Sequence, residues 1–70
     1  MQRKRVSSTE LFAVGYDSET STLEVELLNG SLFQYKNVAR MIYEELMASN
    51  AKARYYARYI RNSFPYDKLQ

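Results

Sequence analysis

Thr22-Leu-Glu-Val-Glu-Leu-Leu-Asn-Gly-Ser-Leu-Phe-Gln-Tyr-Lys36 is the stretch that decides the fold. Leu23, Val25 and Leu27 interleave with Glu24 and Glu26, the alternation that gives a strand one dry and one wet face. Asn29-Gly30 then supplies a turn, and Leu32–Lys36 read as the returning strand. The register follows from the apolar pattern. A two-residue loop at Asn29-Gly30 would set Val25 opposite Gln34 and Glu24 opposite Tyr35, mixing polar and apolar groups on both faces. A three-residue loop, Leu28-Asn29-Gly30 with Gly30 left-handed, pairs Leu27 with Ser31, Val25 with Phe33 and Leu23 with Tyr35. That arrangement gathers Leu23, Val25, Leu27, Phe33 and Tyr35 on one face and Glu24, Glu26, Gln34 and Lys36 on the other. A slip of one residue would exchange the faces, so the three-residue loop is expected.

Upstream, Leu11–Asp17 reads as a first strand, joined to Thr22 by the polar turn Asp17-Ser-Glu-Thr-Ser21. Downstream the period changes. Val38, Ile42 and Leu46 recur at spacing four, predicting a helix from Asn37 or Val38 to about Ser49. Asn50 is a candidate cap for a second helix through about Ser63. In that helix Tyr55, Tyr56, Tyr59 and Ile60 cluster on one side, and Arg54, Arg58 and Arg61 on the other. Pro65 disfavours helix at Phe64, so Phe64-Pro-Tyr66 closes the element. Strands first and helices last predict an α+β fold: a three-stranded antiparallel β-meander followed by two C-terminal helices packed on one face, in the order βββαα. Residues 1–5 are expected as a basic N-terminal arm and 6–70 as a single domain.

Composition excludes much chemistry. The 70 residues contain no cysteine and no histidine, which removes disulfides, thiol nucleophiles, the usual general base and the common zinc ligands. Without a histidine, Ser7, Ser8 and Ser18 have no base to activate them. The two glycines, Gly15 and Gly30, stand too far apart for a phosphate-cradling loop. Glu24 and Glu26 share a strand face, as a glycosidase pair could require, but an amphipathic strand accounts for both. We therefore expect a non-enzymatic protein with no catalytic residue, no metal and no cofactor. Apolar runs are too short to cross a membrane, the basic start leads into no apolar signal segment, and a reducing cytoplasm suits a cysteine-free chain.

Net charge is +2, unevenly spread. Residues 1–5 carry +3, residues 6–49 carry −5, and residues 50–70 carry +4. Basic ends around an acidic middle suggest a polyanionic partner. Arg54, Arg58, Arg61 and Lys52, joined by Arg3, Lys4 and Arg5 of the arm, are the candidate phosphate contacts. Seven tyrosines and three phenylalanines could stack bases. The periodic placement of Tyr16, Phe33, Tyr35, Tyr43, Tyr56 and Phe64 instead favours the core. Tyr35, or an exposed tyrosine of the last helix, is the candidate stacking residue. The alternative is a protein-interaction or self-associating module, even a homodimer, that gains burial a small core lacks.

Ser7-Ser8, Gly15-Tyr16-Asp17, Leu23-x-Val25, Asn29-Gly30, Phe33-Gln34-Tyr35, Val38 and Tyr55-Tyr56…Ile60-Arg61…Phe64-Pro65-Tyr66 together resemble the KTSC domain. That family occurs at the C-terminus of some lysyl-tRNA synthetases and as a free-standing small bacterial protein. The resemblance spans roughly Val6 to Leu69 and implies a binding role, with tRNA or single-stranded RNA as the expected ligand. The family's Tyr-x-Tyr motif is matched by Phe33-Gln34-Tyr35, where Phe33 lacks the first hydroxyl. Ala39 stands where the family has a helix-opening proline, and Ala53 and Ala57 stand where it has glycine and asparagine. Those departures favour a continuous second helix.

Overall fold

The computed structural model describes residues 2–70. The chain runs β1 (Lys4–Arg5), β2 (Leu11–Asp17), β3 (Thr22–Leu27), β4 (Leu32–Tyr35), α1 (Arg40–Ala48), α2 (Lys52–Tyr59) and β5 (Tyr66–Lys68). All neighbours are antiparallel, in the order β1-β2-β3-β4-β5. The expected α+β class, central meander and two helices are present. The strand number is not: five strands replace three.

The hairpin adopts the three-residue loop. Leu23 pairs with Tyr35 and Val25 with Phe33, the Leu27 amide bonds the Ser31 carbonyl at 2.8 Å, and Gly30 has φ +92°. Leu23, Val25 and Tyr35 are sealed inside, and Leu27 and Phe33 pack around them. Strand β2 needs a further device. Leu11 and Val14 are three apart and would point to opposite faces of a regular strand. A bulge at Phe12, between the Leu11–Leu27 and Ala13–Glu26 pairs, re-aims the strand so that both side chains are buried.

Both added strands close exposed edges. Lys4 pairs with Val14 and Arg5 with Ala13, so the expected arm is partly an edge strand. Its approach depends on Gly15: a Cβ there would lie 2.7 Å from the Gln2 carbonyl oxygen. Hydrogen in that position lets the N-terminal backbone cross the outer face of the sheet. At the other edge the chain returns after the helices, and Tyr66, Asp67 and Lys68 pair with Tyr35, Gln34 and Phe33. The Lys36 amide bonds the Pro65 carbonyl at 2.8 Å and guides the return.

The helices are shorter than their periodicity suggested. Asn37 takes a left-handed φ of +59°, a conformation asparagine tolerates, and Val38 bonds back to Ser21 at 2.9 Å. Helix α1 therefore starts at Arg40, with Ala39 as its N-cap. Asn50 does not cap α2: the N-cap is Ala51, whose amide donates to Ser49 Oγ at 3.0 Å. Helix α2 ends at Tyr59 rather than near Ser63. The Ile60 and Arg61 amides both converge on the Tyr56 carbonyl, at 3.0 and 2.9 Å, and buried Ile60 pins the turn.

The core joins the sheet to the helices through Tyr35 and Tyr56. Both are 1% exposed, their rings meet edge to face at 6.0 Å, and their hydroxyls lie 2.6 Å apart. Burial, and then the shared hydrogen bond, push the Tyr35 hydroxyl well above the ordinary tyrosine range. Burial also raises Tyr56, against the opposing Tyr35 hydrogen bond and the Arg61 charge. At the α1 side, Tyr43 stacks on Tyr16 at 5.2 Å, whose hydroxyl donates to the Val38 carbonyl.

Gly15→Ala is expected to force the N-terminal segment off the sheet. The cost should be about 1–3 kcal/mol, typical of overpacking, with faster amide exchange across residues 4–5. A variant as stable as the native chain would refute the close-packing account. Tyr35→Phe should cost about 1–3 kcal/mol, because the buried Tyr56 hydroxyl loses its partner. Adding Tyr56→Phe should cost much less than the sum of the single changes. The raised hydroxyls also make stability depend on pH. Their contribution is full below the unfolded tyrosine value of about 10 and declines as pH rises above it. Urea midpoints across about pH 8 to 11 should be flat and then fall, less steeply in the double variant.

Candidate nucleic-acid interface

Helix α2 reads Lys52-Ala-Arg-Tyr-Tyr-Ala-Arg-Tyr59 and contains no acid. With Tyr56 turned inward as its buried residue, Arg54 and Arg58 emerge exposed on the other side. Among the described residues neither has a carboxylate within ion-pair distance. Tyr59, expected on the inner side, is instead 50% exposed. Its ring leans on Tyr55 at 4.8 Å, and the Arg58 guanidinium carbon lies 5.9 Å from its centroid. A shallow groove of about 170 Å³ runs between Arg54, Tyr55, Arg58, Tyr59 and Ser49.

Neighbouring groups hold this surface in place. The Tyr55 hydroxyl donates to Glu45 Oε1 at 2.7 Å, tying α2 to α1. Burial and that carboxylate push the hydroxyl up to about 12, so it stays a neutral donor. Lys52 Nζ donates to the Ser49 carbonyl at 2.8 Å, which fixes its cation at the start of the helix. Beyond it a cleft of about 560 Å³ separates the first turn of α2 from Ser7, Ser8 and Thr9. The Ser8 hydroxyl is occupied there, accepting from the Glu10 and Leu11 amides at 3.2 and 3.1 Å.

The remaining candidates lie elsewhere. Because α2 stops at Tyr59, Arg61 leaves the arginine row. It folds over the Tyr56 ring, with its guanidinium carbon 5.3 Å from the centroid, and Nη2 bonds Glu10 Oε1 at 2.7 Å. Arg3 pairs with Glu24 and, through Nε at 3.2 Å, with Glu26. Burial acts to raise the Glu24 carboxyl. Hydrogen bonds from Gln34 and Arg3, with the Arg3 charge, outweigh it and hold that group below the usual carboxylate range. The pair that a glycosidase reading would single out is thus an internal counter-ion for the N-terminal segment. Arg5 lies over Phe12, its guanidinium carbon 4.7 Å from the ring centroid, and Lys4 sits exposed on the edge strand. Tyr35 cannot stack an RNA base, because it is 1% exposed.

The structure therefore groups Arg54 and Arg58 with Tyr59 along one groove, while Lys52 lies with Arg54 in the neighbouring cleft. The sequence signal for Tyr59 lay in helix length: buried Tyr56 and Ile60 already account for the inward positions of so short a helix.

Residues 7–64 match the KTSC domain. The chain is 35% identical over 54 residues to a lysine–tRNA ligase of Trichormus variabilis, covering 77% of this chain and 10% of the ligase. It is 33% identical over 57 residues to a lysine–tRNA ligase of Nostoc sp., again spanning 10% of that protein. An uncharacterised protein of Stutzerimonas stutzeri is 32% identical over 56 residues, which cover 80% of this chain and 79% of that one. The crystal structure of a KTSC domain protein from Yersinia pestis is similar at a TM-score of 0.92 and 28% identity, covering 99% of this chain and 97% of its own. The chain spans about a tenth of the length of the ligases it matches. The matched residues contain β2, β3, β4, α1 and α2 entire, and with the structural likeness they place the chain in the KTSC domain family.

Proposed function

We propose that this KTSC domain is a non-enzymatic module that binds RNA, a single strand or tRNA, on the outer face of α2. The observation that carries the reading is the combination of Arg54 and Arg58, unpaired among the described residues, with half-exposed Tyr59 on an acid-free helix. The guanidinium groups supply phosphate contacts whose strength comes from counterion release. The tyrosine ring offers a base a stacking surface worth about 1–3 kcal/mol. Lys52 extends the positive field toward the cleft beside Ser7–Thr9.

The occurrence of a similar segment in proteins named lysine–tRNA ligases supports the same reading. Few phosphate contacts make for weak binding alone. Tethering to a larger RNA-binding protein would raise the effective concentration and make such a module useful. Self-association through a sheet edge has less support, because β1 and β5 offer only two and three exposed residues for pairing.

Anisotropy titrations of labelled single-stranded RNA and tRNA at about 50 and 200 mM salt test the reading. With three phosphate contacts, log affinity should fall with log salt at a slope of about −2 on a single strand. Replacing Arg54 and Arg58 together by Gln should flatten that slope by about 1.4. Tyr59→Ala should weaken binding without changing the slope. Arg40→Gln, which breaks only an exposed pair on α1, should change little. No binding at low salt, or equal loss from Arg40→Gln, would remove the proposal.

A further inference from the structure

A separate cleft of about 300 Å³ opens where β4 and β5 meet the turn after α2. Phe33 and half-exposed Tyr66 form its aromatic wall, with ring centroids 5.5 Å apart. Tyr35 and Tyr56, each 1% exposed, form its floor. Glu10 and Arg61 stand at its mouth, joined at 2.7 Å with side chains 40% and 42% exposed. The motif Phe33-Gln34-Tyr35, left without a role by α2, thus supplies wall and floor.

Three properties define what this cleft would hold. Its charge is balanced, since the Arg61 cation is matched by Glu10, so an ionic ligand gains little there. Its wall rings stand nearly perpendicular, at 74°, so a flat ring can lie on the face of one and meet the edge of the other. Its polar groups offer both senses of hydrogen bond. Arg61 has N–H donors beyond the one bound to Glu10, and a carboxylate has acceptor capacity beyond one bond. The floor adds a donor. Two tyrosine hydroxyls carry two protons, and their mutual bond uses one. The second proton has no acceptor among the described residues, so a polar group that reached the floor could accept it.

A flat, neutral ring with adjacent donors and acceptors is a nucleobase. Guanine alone among the common bases presents two neighbouring donors, N1–H and N2–H, that one carboxylate can accept together. Beside them lie O6 and N7, which arginine recognises as a pair. The volume, at the small end for ligand sites, suits a base with its sugar and phosphate left outside. We propose that the cleft takes a single unstacked guanine. Glu10 receives its N1–H and N2–H, Arg61 donates toward O6 and N7, and the ring lies against the Phe33–Tyr66 wall. The inference deepens the RNA-binding reading, on which it rests for the source of the base.

The test is a nuclear magnetic resonance titration of the full chain with guanosine, adenosine, cytidine and uridine. These probes have no phosphate and so make no demand on Arg54 or Arg58. Guanosine should shift the amides of Phe33, Tyr35, Arg61 and Tyr66 and bind tightest. Glu10→Gln should weaken guanosine about tenfold and erase its preference over adenosine. Should that variant unfold, Tyr66→Ala, which leaves the ion pair in place, should weaken every base. Arg40→Gln, which breaks only an exposed pair on α1, should leave guanosine unaffected. Absence of shifts at the cleft, equal affinity for all four nucleosides, or retained preference in Glu10→Gln would overturn the proposal. Loss of RNA binding with guanosine retained would remove the α2 reading and leave the cleft standing; the reverse result would remove the cleft alone.

Discussion

The contact between Tyr35 on β4 and Tyr56 on α2 is the constraint on which the other features depend. Both rings are buried, meet edge to face, and share a hydroxyl hydrogen bond. A helix is a rigid rotor: once one side chain is pinned, every other direction is set by 100° steps. Pinning Tyr56 inward turns Arg54 and Arg58 outward. Ile60, one turn later, enters the same core and ends the helix there. The chain beyond Ile60 must bend, and the bend carries Arg61 back over Tyr56 to Glu10. One buried pair thus separates three arginines into two sites.

Charge is partitioned by the same logic. The outer face of the sheet bears Glu24 and Glu26, and Glu24 is 7% exposed. A carboxylate that buried requires a partner, and Gly15 clears a path for the segment that provides it. Arg3 is therefore consumed internally, and Arg5 settles over Phe12. Lys4 alone of the three N-terminal cations is left exposed without such a contact among the described residues. A count of basic residues at both ends overstates the positive field available to a ligand.

The hairpin was legible because a period of two admits only one register that keeps Leu23, Val25, Phe33 and Tyr35 together, and β3 and β4 obey it. The bulge at Phe12 left no equally clear mark, because it is read only from where Leu11 must point. Strands β1 and β5 were illegible for a different reason. Two and three residues, Lys4–Arg5 and Tyr66–Lys68, none of them fully buried, are too few to carry an alternation. They exist because β2 and β4 would otherwise present open edges. The end of α2 was misjudged because periodicity measures which residues share a face, not where packing stops the helix. The Arg54–Arg58 pair survived that error. Arg61 did not, and no pattern in the chain predicted its pairing with Glu10, 51 positions away.

The dimensions of α2 set the scale of anything it could bind. Eight residues span about 12 Å, enough for only a few phosphates of an extended strand. A surface so short gives affinity without much selectivity, since phosphate contacts are blind to sequence. Selectivity has to come from a group that reaches a base edge, and on the exposed side of α2 only Tyr59 is placed to meet a base, through its π-face. The polar groups that the proposed base recognition would use lie beyond the C-terminal end of α2, where Arg61 and Glu10 line a cleft floored by Tyr35 and Tyr56. Tyr56 belongs both to that floor and to the core anchor of α2, and so joins the two surfaces. On the proposed reading, a strand lying along Arg54 and Arg58 and turning one base into the cleft would meet two surfaces of a 70-residue domain that are joined through Tyr56.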